Sequence, residues 1–339
     1  MIKAGYLSLE PTGSFTKEAV FTGSFTKFSS VLRMPGELFE RPASPVFFIC
    51  LSGTIYIFFF IMVGIGAGDN FRRVSMMKVS LVITTYNDPL GLKKAVESAF
   101  HQTRWPDEVL IADDGSDERT ASAVKDLSGC APFTVIHVRQ EDMGFRAARI
   151  RNKAIARASG DYIILLDGDC VMDKHFIADH ELLSEDRCFI QGKRILVNRG
   201  AVSAFDHTIA ASKPRLVLMA MSGGISNAHH LLRIPYSTGF KNRKLKGIKS
   251  CNMSFFKKDF IAVNGFNEDF EGWGNEDSEL ACRFFKYGLF KKVHPFMAVC
   301  FHLWHPTNKV APDCNRLLLA AAIASKEYFC KNGLVKKNN

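Results

Sequence analysis

The chain has 339 residues, of which 47% are hydrophobic and 23% are charged. This balance is typical of a globular protein and excludes a chain that is disordered throughout. The 44 basic residues outnumber the 34 acidic ones and give a net charge of +10, which would suit phosphorylated ligands, an anionic membrane or an ordinary basic surface. No aromatic and basic stripe accompanies this charge, so we expect no nucleic-acid partner. The nine cysteines form no Cys-x-x-Cys pair, which gives no support to a zinc ribbon and favours reduced thiols in the cytosol.

The first 76 residues differ from the rest of the chain. The hexapeptide Thr-Gly-Ser-Phe-Thr-Lys occurs there twice, and an uncharged apolar run follows at residues 46–68. About 20 apolar residues span a bilayer as a helix, so this run could be a membrane anchor. Alternatively, residues 1–76 are an upstream extension with no part in the fold, which would begin near Met77. The expected location is the cytoplasm, at the inner face of the plasma membrane if the run is an anchor; a slight excess of basic residues after it favours this orientation.

From Lys78 onward, short apolar runs alternate with segments of helical periodicity. The sequence predicts strands at residues 79–84, 108–112, 133–138 and 162–166, and helices at residues 89–101, 117–127, 145–158 and 316–331. This alternation predicts an α/β fold with a doubly wound, mostly parallel sheet and flanking helices. Ligands of such sheets bind beyond the carboxyl ends of the strands.

Polar side chains follow three of the predicted strands at the point where each strand ends. The three segments are Thr84-Thr85-Tyr86-Asn87, Asp113-Asp114-Gly115-Ser116 and Asp167-Gly168-Asp169. The second of them by itself fits a turn that caps the next helix. In the third, two carboxylates flank a glycine, and such a pair can hold a hard divalent cation that bridges diphosphate oxygens.

Basic residues at helical spacing follow Gly144. They would usually form a solvated face, but the helix opens toward the same edge of the predicted sheet. Arg146 or Arg151 could therefore bind diphosphate oxygens through paired hydrogen bonds, with Arg151 slightly favoured.

Two segments of the C-terminal half also carry candidate chemistry. The glycines on both sides of Trp273 predict a tight loop that exposes the indole ring for stacking on a sugar, and Glu276 and Asp277 then start a helix. An ordinary acidic helix start is the alternative. His302 and His305 are three residues apart and could both reach one metal ion, although ordinary histidines are the alternative.

Together, from about residue 79 to about residue 306, these motifs resemble the family 2 inverting glycosyltransferases, which have the GT-A fold. The C-terminal part is similar to the galactosyltransferase-type segment of chondroitin polymerases and β-1,4-galactosyltransferases. The resemblance implies that Thr84, Tyr86 and Asp114 contact the nucleobase and that Asp167 lies near the ribose. It also implies metal ligation by Asp169, His305 and His302, acceptor contact by Glu276, and a catalytic base at Asp277.

The resemblance implies a division of the chain and a reaction. Residues 77–200 would form a Rossmann-like nucleotide-sugar-binding half, residues 201–310 an acceptor and catalytic-base half, and residues 311–339 a C-terminal helix with a basic tail. The reaction would use Mn²⁺ or Mg²⁺ and move a sugar from a nucleoside diphosphate sugar, expected to be a UDP-sugar, to a glycan or glycolipid hydroxyl. Bacterial surface glycan or lipopolysaccharide synthesis is the expected context. A degenerate nucleotide-sugar-binding or regulatory module is the alternative, but it would lack Asp169 or Asp277, and both are present.

Overall fold

The computed structural model describes residues 77–235, 239–306 and 312–336, together with four short strands among the first 76 residues. The chain divides into two compact units, Met1–Val74 and Ser75–Asn339. In the first unit, Ser8–Leu9 pairs with Phe15–Thr16, and Phe48–Leu51 pairs with Thr54–Ile57. Apart from this second pair, the predicted anchor at residues 46–68 lies outside the described residues. No helix in the described part of the chain is both long enough and apolar enough to cross a membrane.

The second unit begins with the predicted alternation of strands and helices, each within three residues of its predicted bounds. In chain order these elements are β1 (Val79–Thr85), α1 (Pro89–Phe100), β2 (Glu108–Asp113), α2 (Glu118–Cys130), β3 (Thr134–Arg139), α3 (Ala147–Arg157) and β4 (Tyr162–Asp167). The helix starts follow from local chemistry. The Asp88 side chain accepts a hydrogen bond from the Gly91 amide, which gives a partner to one of the free backbone amides at the start of α1. Pro89, which has no amide hydrogen, occupies the first turn of this helix.

Shorter elements make up the rest of the second unit. They are β5 (Cys170–Met172), α4 (Phe176–Leu183), β6 (Cys188–Gln191), β7 (Lys193–Val197), α5 (His207–Ala211), α6 (Lys213–Met221), β8 (Ile225–Ser226), β9 (Phe240–Asn242), β10 (Asn252–Phe256), α7 (Lys257–Ala262), α8 (Glu276–Tyr287), β11 (Phe290–Val293), β12 (Val299–Leu303) and α9 (Asp313–Ala324). Single turns of 3₁₀ helix occur at Arg199–Ala201 and Ala228–Leu231.

The predicted bounds of the last helix, residues 316–331, are wrong. Helix α9 begins at Asp313 and ends at Ala324, after which Ser325 is extended. The following chain docks on the loop around Asn264, whose side-chain amide donates to the Cys330 carbonyl, while the Cys330 amide donates to the Val263 carbonyl. The buried backbone amide and carbonyl of Cys330 therefore have tertiary partners in place of helical ones, since a buried backbone group requires a hydrogen bond.

Eight strands form the main sheet in the order β9-β11-β6-β10-β4-β1-β2-β3. Strands β4, β1, β2 and β3 are mutually parallel and β6 is parallel to β11, whereas β10 and β9 run antiparallel to their neighbours. A second sheet has the order β8-β7-β12-β5. The observed fold is therefore the expected α/β fold with a mostly parallel sheet, extended by antiparallel strands.

Apolar residues of β1 alternate between two cores, one on each face of the main sheet. Leu81 and Ile83 pack in the core with α1 and α2, and Val82 packs in the core with α3 and α8. This alternation follows from the two-residue period of a strand. Because both faces are covered by helices, the polar strand ends at the carboxyl edge are left for a site.

Candidate active site

The predicted strand ends lie side by side at one edge of the sheet. Thr84 of β1 is in register with Asp167 of β4 and with Ala112 of β2. The Gly168 amide donates to the Thr84 carbonyl over 2.7 Å. A Cβ atom at Gly168 would lie 3.1 Å from that carbonyl oxygen, so glycine permits this close approach between the Asp-Gly-Asp turn and β1.

Asp169, His302 and His305 form a cluster beside this turn. The Asp169 Oδ2 atom lies 3.4 Å from His302 Nε2 and 2.9 Å from His305 Nε2. The three potential ligand atoms lie within 4.8 Å of one another, and all three residues are partly buried. His302 reaches this place because it is part of β12 and is paired with Cys170 of β5.

Two of the three groups in the cluster favour the ionisation state that binds a cation. Burial acts to raise the pKa of Asp169, but the hydrogen bond with His305 and the field of His302 outweigh it and lower the pKa. Burial lowers the pKa of His302, which favours the neutral imidazole. The hydrogen bond with Asp169 raises the pKa of His305, which favours the protonated ring, so a metal ion at this site would have to displace that proton. A carboxylate next to unprotonated imidazoles is a set of metal ligands.

Arg151 connects two parts of the site. Its side chain is buried, and its guanidinium donates to Thr84 Oγ1 over 3.0 Å, to Glu276 Oε1 over 3.0 Å and to Asp167 Oδ1 over 3.1 Å. Burial opposes the charge of Arg151, but the two carboxylates outweigh this effect and raise its pKa. The three donated bonds link the Asp-Gly-Asp turn to the start of α8. They also occupy groups that the predicted contact with a diphosphate would need, and that contact stays a prediction.

Arg146 has a different setting. Its backbone amide donates to Asp114 Oδ2 over 2.7 Å, and its guanidinium reaches the Met143 sulfur at 3.5 Å and the Glu141 carbonyl. Asp114 is buried, and its other oxygen accepts a hydrogen bond from the side-chain amide of Gln140. Asp114 therefore already holds the start of α3, and its predicted nucleobase contact is untested.

Tyr86 lies at the end of β1 with 45% of its surface exposed. Its hydroxyl donates to Asp142 Oδ2 over 3.1 Å. Much of the ring remains accessible to a ligand at the carboxyl edge.

The loop before α8 exposes Trp273, as the glycines predict. Gly272 and Gly274 have φ angles of 73° and 100°, a region that favours glycine, and 48% of the Trp273 surface is exposed. The side-chain amide of Asn315, which is fully buried, donates to the carbonyls of Glu271 and Gly274. Sequence reasoning missed Asn315, although a single asparagine in the apolar segment that becomes α9 was the available signal.

The neighbouring acids Glu276 and Asp277 have different partners. Glu276 is paired with Arg151, whereas the described residues place no basic side chain in a salt bridge with Asp277. Asp277 Oδ1 accepts the Ser278 amide at 2.6 Å and Oδ2 accepts the Ser250 amide at 3.3 Å. Burial, assisted by the charge of Glu276, raises the pKa of Asp277 to about 6. Ser250 was not foreseen, because nothing local in the sequence marks it.

Two regions of the chain match known protein families. Residues 80–247 match glycosyl transferase family 2, and residues 230–306 match the N-terminal domain of galactosyltransferase. Residues 80–247 are a glycosyl transferase family 2 region. The predicted family and the transferase class of the enzyme are thereby confirmed.

Several curated bacterial proteins are similar to this chain. A hyaluronan synthase of Pasteurella multocida is 28% identical over 235 residues, which cover 65% of this chain and 24% of the synthase. A chondroitin synthase of Escherichia coli is 26% identical over 68% of this chain and 36% of its own length. The matched region thus spans about a quarter to a third of these relatives.

Two solved structures share the fold. TarS 1–349 of S. aureus in complex with UDP has a TM-score of 0.50 and 17% identity, with 73% of this chain and 65% of that chain covered. GalNAc-T7 with UDP, GalNAc and Mn²⁺ has a TM-score of 0.55 and 14% identity, with 73% and 48% covered. At these identities the likeness shows the GT-A fold, as expected from the sequence.

Proposed function

We propose that this family 2 enzyme is an inverting transferase that moves a sugar from a UDP-sugar to a hydroxyl group of a glycan or glycolipid. One observation carries the proposal: Arg151 connects the Asp-Gly-Asp turn to the acidic start of α8. Candidate donor and acceptor groups are thereby linked at a single edge of the sheet. The UDP in the TarS and GalNAc-T7 structures supports the choice of a uridine nucleotide.

The cluster Asp169, His302 and His305 fits a divalent metal ion. Imidazole nitrogen suits transition metals, whereas Mg²⁺ prefers oxygen ligands, so this set favours Mn²⁺ over Mg²⁺. When bound, such an ion would neutralise negative charge on the diphosphate leaving group. Thr84, Tyr86, Asp114 and Asp167 are assigned to the nucleoside part of the donor, and Trp273 to a sugar ring of the acceptor.

In the proposed reaction Asp277 is the general base. The acceptor oxygen forms a bond to the anomeric carbon while its proton passes to Asp277. The bond between that carbon and the diphosphate oxygen breaks, and one displacement inverts the configuration. The raised pKa makes Asp277 a stronger base than an ordinary aspartate. Glu276, which is held by Arg151, is assigned to orient the acceptor.

A donor screen tests the proposal directly. The purified chain is incubated with a panel of nucleotide sugars with and without Mn²⁺, and both thermal stabilisation and nucleotide release are measured. We expect Mn²⁺-dependent release of UDP from one UDP-sugar. Stabilisation without release, even with a range of acceptors present, would instead support the alternative of a binding or regulatory module.

The two histidines are expected to contribute unequally. His305 lies closer to Asp169 than His302 does, and it matches the metal ligand that the family resemblance implies. The His305→Ala variant should therefore lose more activity and need more Mn²⁺ than His302→Ala. His101→Ala, which is remote in sequence and lies before β2, serves as the control. Wild-type Mn²⁺ dependence in both site variants would place the ligands elsewhere.

A truncated protein tests the role of the N-terminal segment. Because Ser75–Asn339 is a compact unit, we expect a chain beginning at Met77 to be soluble and as active as the full chain. Fractionation and specific activity are the measurements. Aggregation, or activity only when residues 46–68 hold the chain on membranes, would support an anchor at the inner face of the plasma membrane.

The proposed cellular context is bacterial surface glycan synthesis. Hyaluronan synthase and chondroitin synthase are named for polysaccharide products, which supports a role in surface glycan synthesis, with lipopolysaccharide as one such product.

A further inference from the structure

A basic cavity of about 220 Å³ lies between the two sheets. Its charged lining, here called the basic pocket, consists of Lys193, Arg194, Lys246, Lys249 and Lys291. One water occupies about 30 Å³ in the liquid, so the cavity has room for a carboxylate or phosphate group with part of the molecule that carries it.

The basic pocket lies at the same edge of the main sheet as the acids of the candidate active site. Asn252, which also lines the cavity, is in register with Leu166 at the end of β4. Gln191 and Val293 line it as well and are in register with each other at the ends of β6 and β11. Strand β6 is two positions from β4, which corresponds to about 10 Å at the usual strand spacing.

The pocket lies on the side of this edge away from the strands whose ends are assigned to the nucleoside of the donor. In the strand order, β1, β2 and β3 extend from β4 in one direction, whereas β10, β6 and β11 extend in the other. Lys249 also precedes Ser250, whose amide donates to Asp277. The lysine is therefore next in sequence to a residue that contacts the proposed base.

The loop that carries Lys249 is fixed in place. Gln191 accepts a hydrogen bond from the Lys249 amide at 2.9 Å and donates to the Lys249 carbonyl at 3.1 Å. Its side-chain amide donates to the Asn252 carbonyl as well, over 2.8 Å. The backbone is thus held on both sides of Ser250, and the position of the lysine is part of the fold.

The positive charges of the pocket lack acidic partners within the described ranges. No salt bridge there includes any of its five basic residues, and the Lys291 ammonium donates to backbone carbonyls of Lys244 and Lys246. Burial lowers the pKa of Lys193, and burial together with Lys193 lowers the pKa of Lys291. Concentrated like charge in a partly enclosed site is unfavourable unless an anion offsets it.

We propose that the basic pocket binds an anionic group of the acceptor, so that the enzyme prefers an acceptor bearing a carboxylate or phosphate near the hydroxyl that receives the sugar. This inference rests on the proposed transferase function. The pocket holds the anion while the neighbouring hydroxyl lies toward Asp277, and the fixed loop sets the distance between the two groups.

Ligand titration tests the pocket independently of turnover. The full chain, with UDP and Mn²⁺ present, is titrated with sodium glucuronate and, separately, with inorganic phosphate. In the Lys193→Gln/Lys249→Gln variant we expect binding of at least one probe to weaken about 10- to 100-fold, the scale of lost hydrogen bonds to charged groups. The two probes distinguish a carboxylate from a phosphate ligand. Lys125→Gln, an exposed lysine on α2, is the matched control and should bind both probes like the wild type.

Kinetics then distinguish acceptor from donor binding. Two acceptors differing only at the terminal sugar, glucuronate or glucose, are compared, together with a phosphate-bearing acceptor. The double variant should have a higher KM for an anionic acceptor and unchanged KM values for the glucose acceptor and for the donor.

Equal losses of activity with every acceptor, together with a raised donor KM, would overturn the proposal and assign these lysines to the donor. The proposal would also be overturned if the double variant bound both probes as tightly as the wild type does. Absence of transfer by the wild type with any donor would reject the proposed function, while the titration would still decide whether the pocket binds anions.

Discussion

Replacing Asp277 with asparagine is expected to lower the rate of sugar transfer by about 10²–10⁴-fold, the usual scale for the loss of a general base. Asparagine keeps the shape of the side chain and can accept one of the two amide hydrogen bonds made by Asp277, but it cannot take up a proton. Donor binding should change little, because the residue is assigned to the acceptor. Steady-state kinetics and UDP titration measure the two effects separately.

Glu276→Gln is the matched comparison. Adjacent residues on a helix point about 100° apart, and these two have different partners, since Glu276 is paired with Arg151. The glutamine variant should mainly raise the acceptor KM. If Glu276→Gln were inactive and Asp277→Asn nearly normal, the two roles would be reversed. Normal turnover in both variants would show that residues 273–277 are an ordinary helix start and that neither acid takes part in catalysis.

The pH dependence gives the same test another readout. Because Asp277 must be ionised to accept a proton and its pKa is raised to about 6, kcat/KM should fall as the pH drops through about 6. The Asp277→Asn variant should lose this fall in kcat/KM at low pH.

The raised pKa of Asp277 also affects stability. The folded protein holds this proton more tightly than the unfolded chain does, so the stability contributed by protonation is present at low pH. It is lost as the pH rises through about 6. The asparagine variant should therefore melt no lower than the wild type at pH 7.5.

Replacing Asp169 with alanine is expected to abolish transfer and to remove the Mn²⁺-dependent stabilisation of the protein by UDP. The variant keeps His302 and His305 but loses the carboxylate that lies within 3.4 Å of both rings. A saturating ligand at 100 times its Kd stabilises a protein by about 2.7 kcal/mol, so thermal shift can detect the loss.

The control for this variant is Asp126→Ala, which removes an exposed carboxylate on α2. It should keep both activity and the Mn²⁺ effect. If Asp169→Ala bound UDP in an unchanged, Mn²⁺-dependent manner, the assignment of the metal site would be wrong.

The sequence by itself determined the alternation of strands and helices and the edge at which the site lies. Strand β4 shows why. Its apolar run is unbroken over residues 163–166, so the strand must be buried on both faces. The acids after it must then lie at the sheet edge. The Trp273 loop was equally predictable, because its glycines supply the backbone conformations that other residues disfavour.

Only the tertiary structure decided which distant side chains meet. Arg151 reads in sequence as a residue of a basic helix, and its contacts with Asp167 and Glu276 depend on how α3 and α8 pack. Likewise, His302 lies beside Asp169 because β12 pairs with β5. Periodicity reports which face of an element is buried, but it does not report the partner or the register. The lysines of the basic pocket come from three separated segments, and their charges had no recognisable meaning until the fold enclosed them in one cavity.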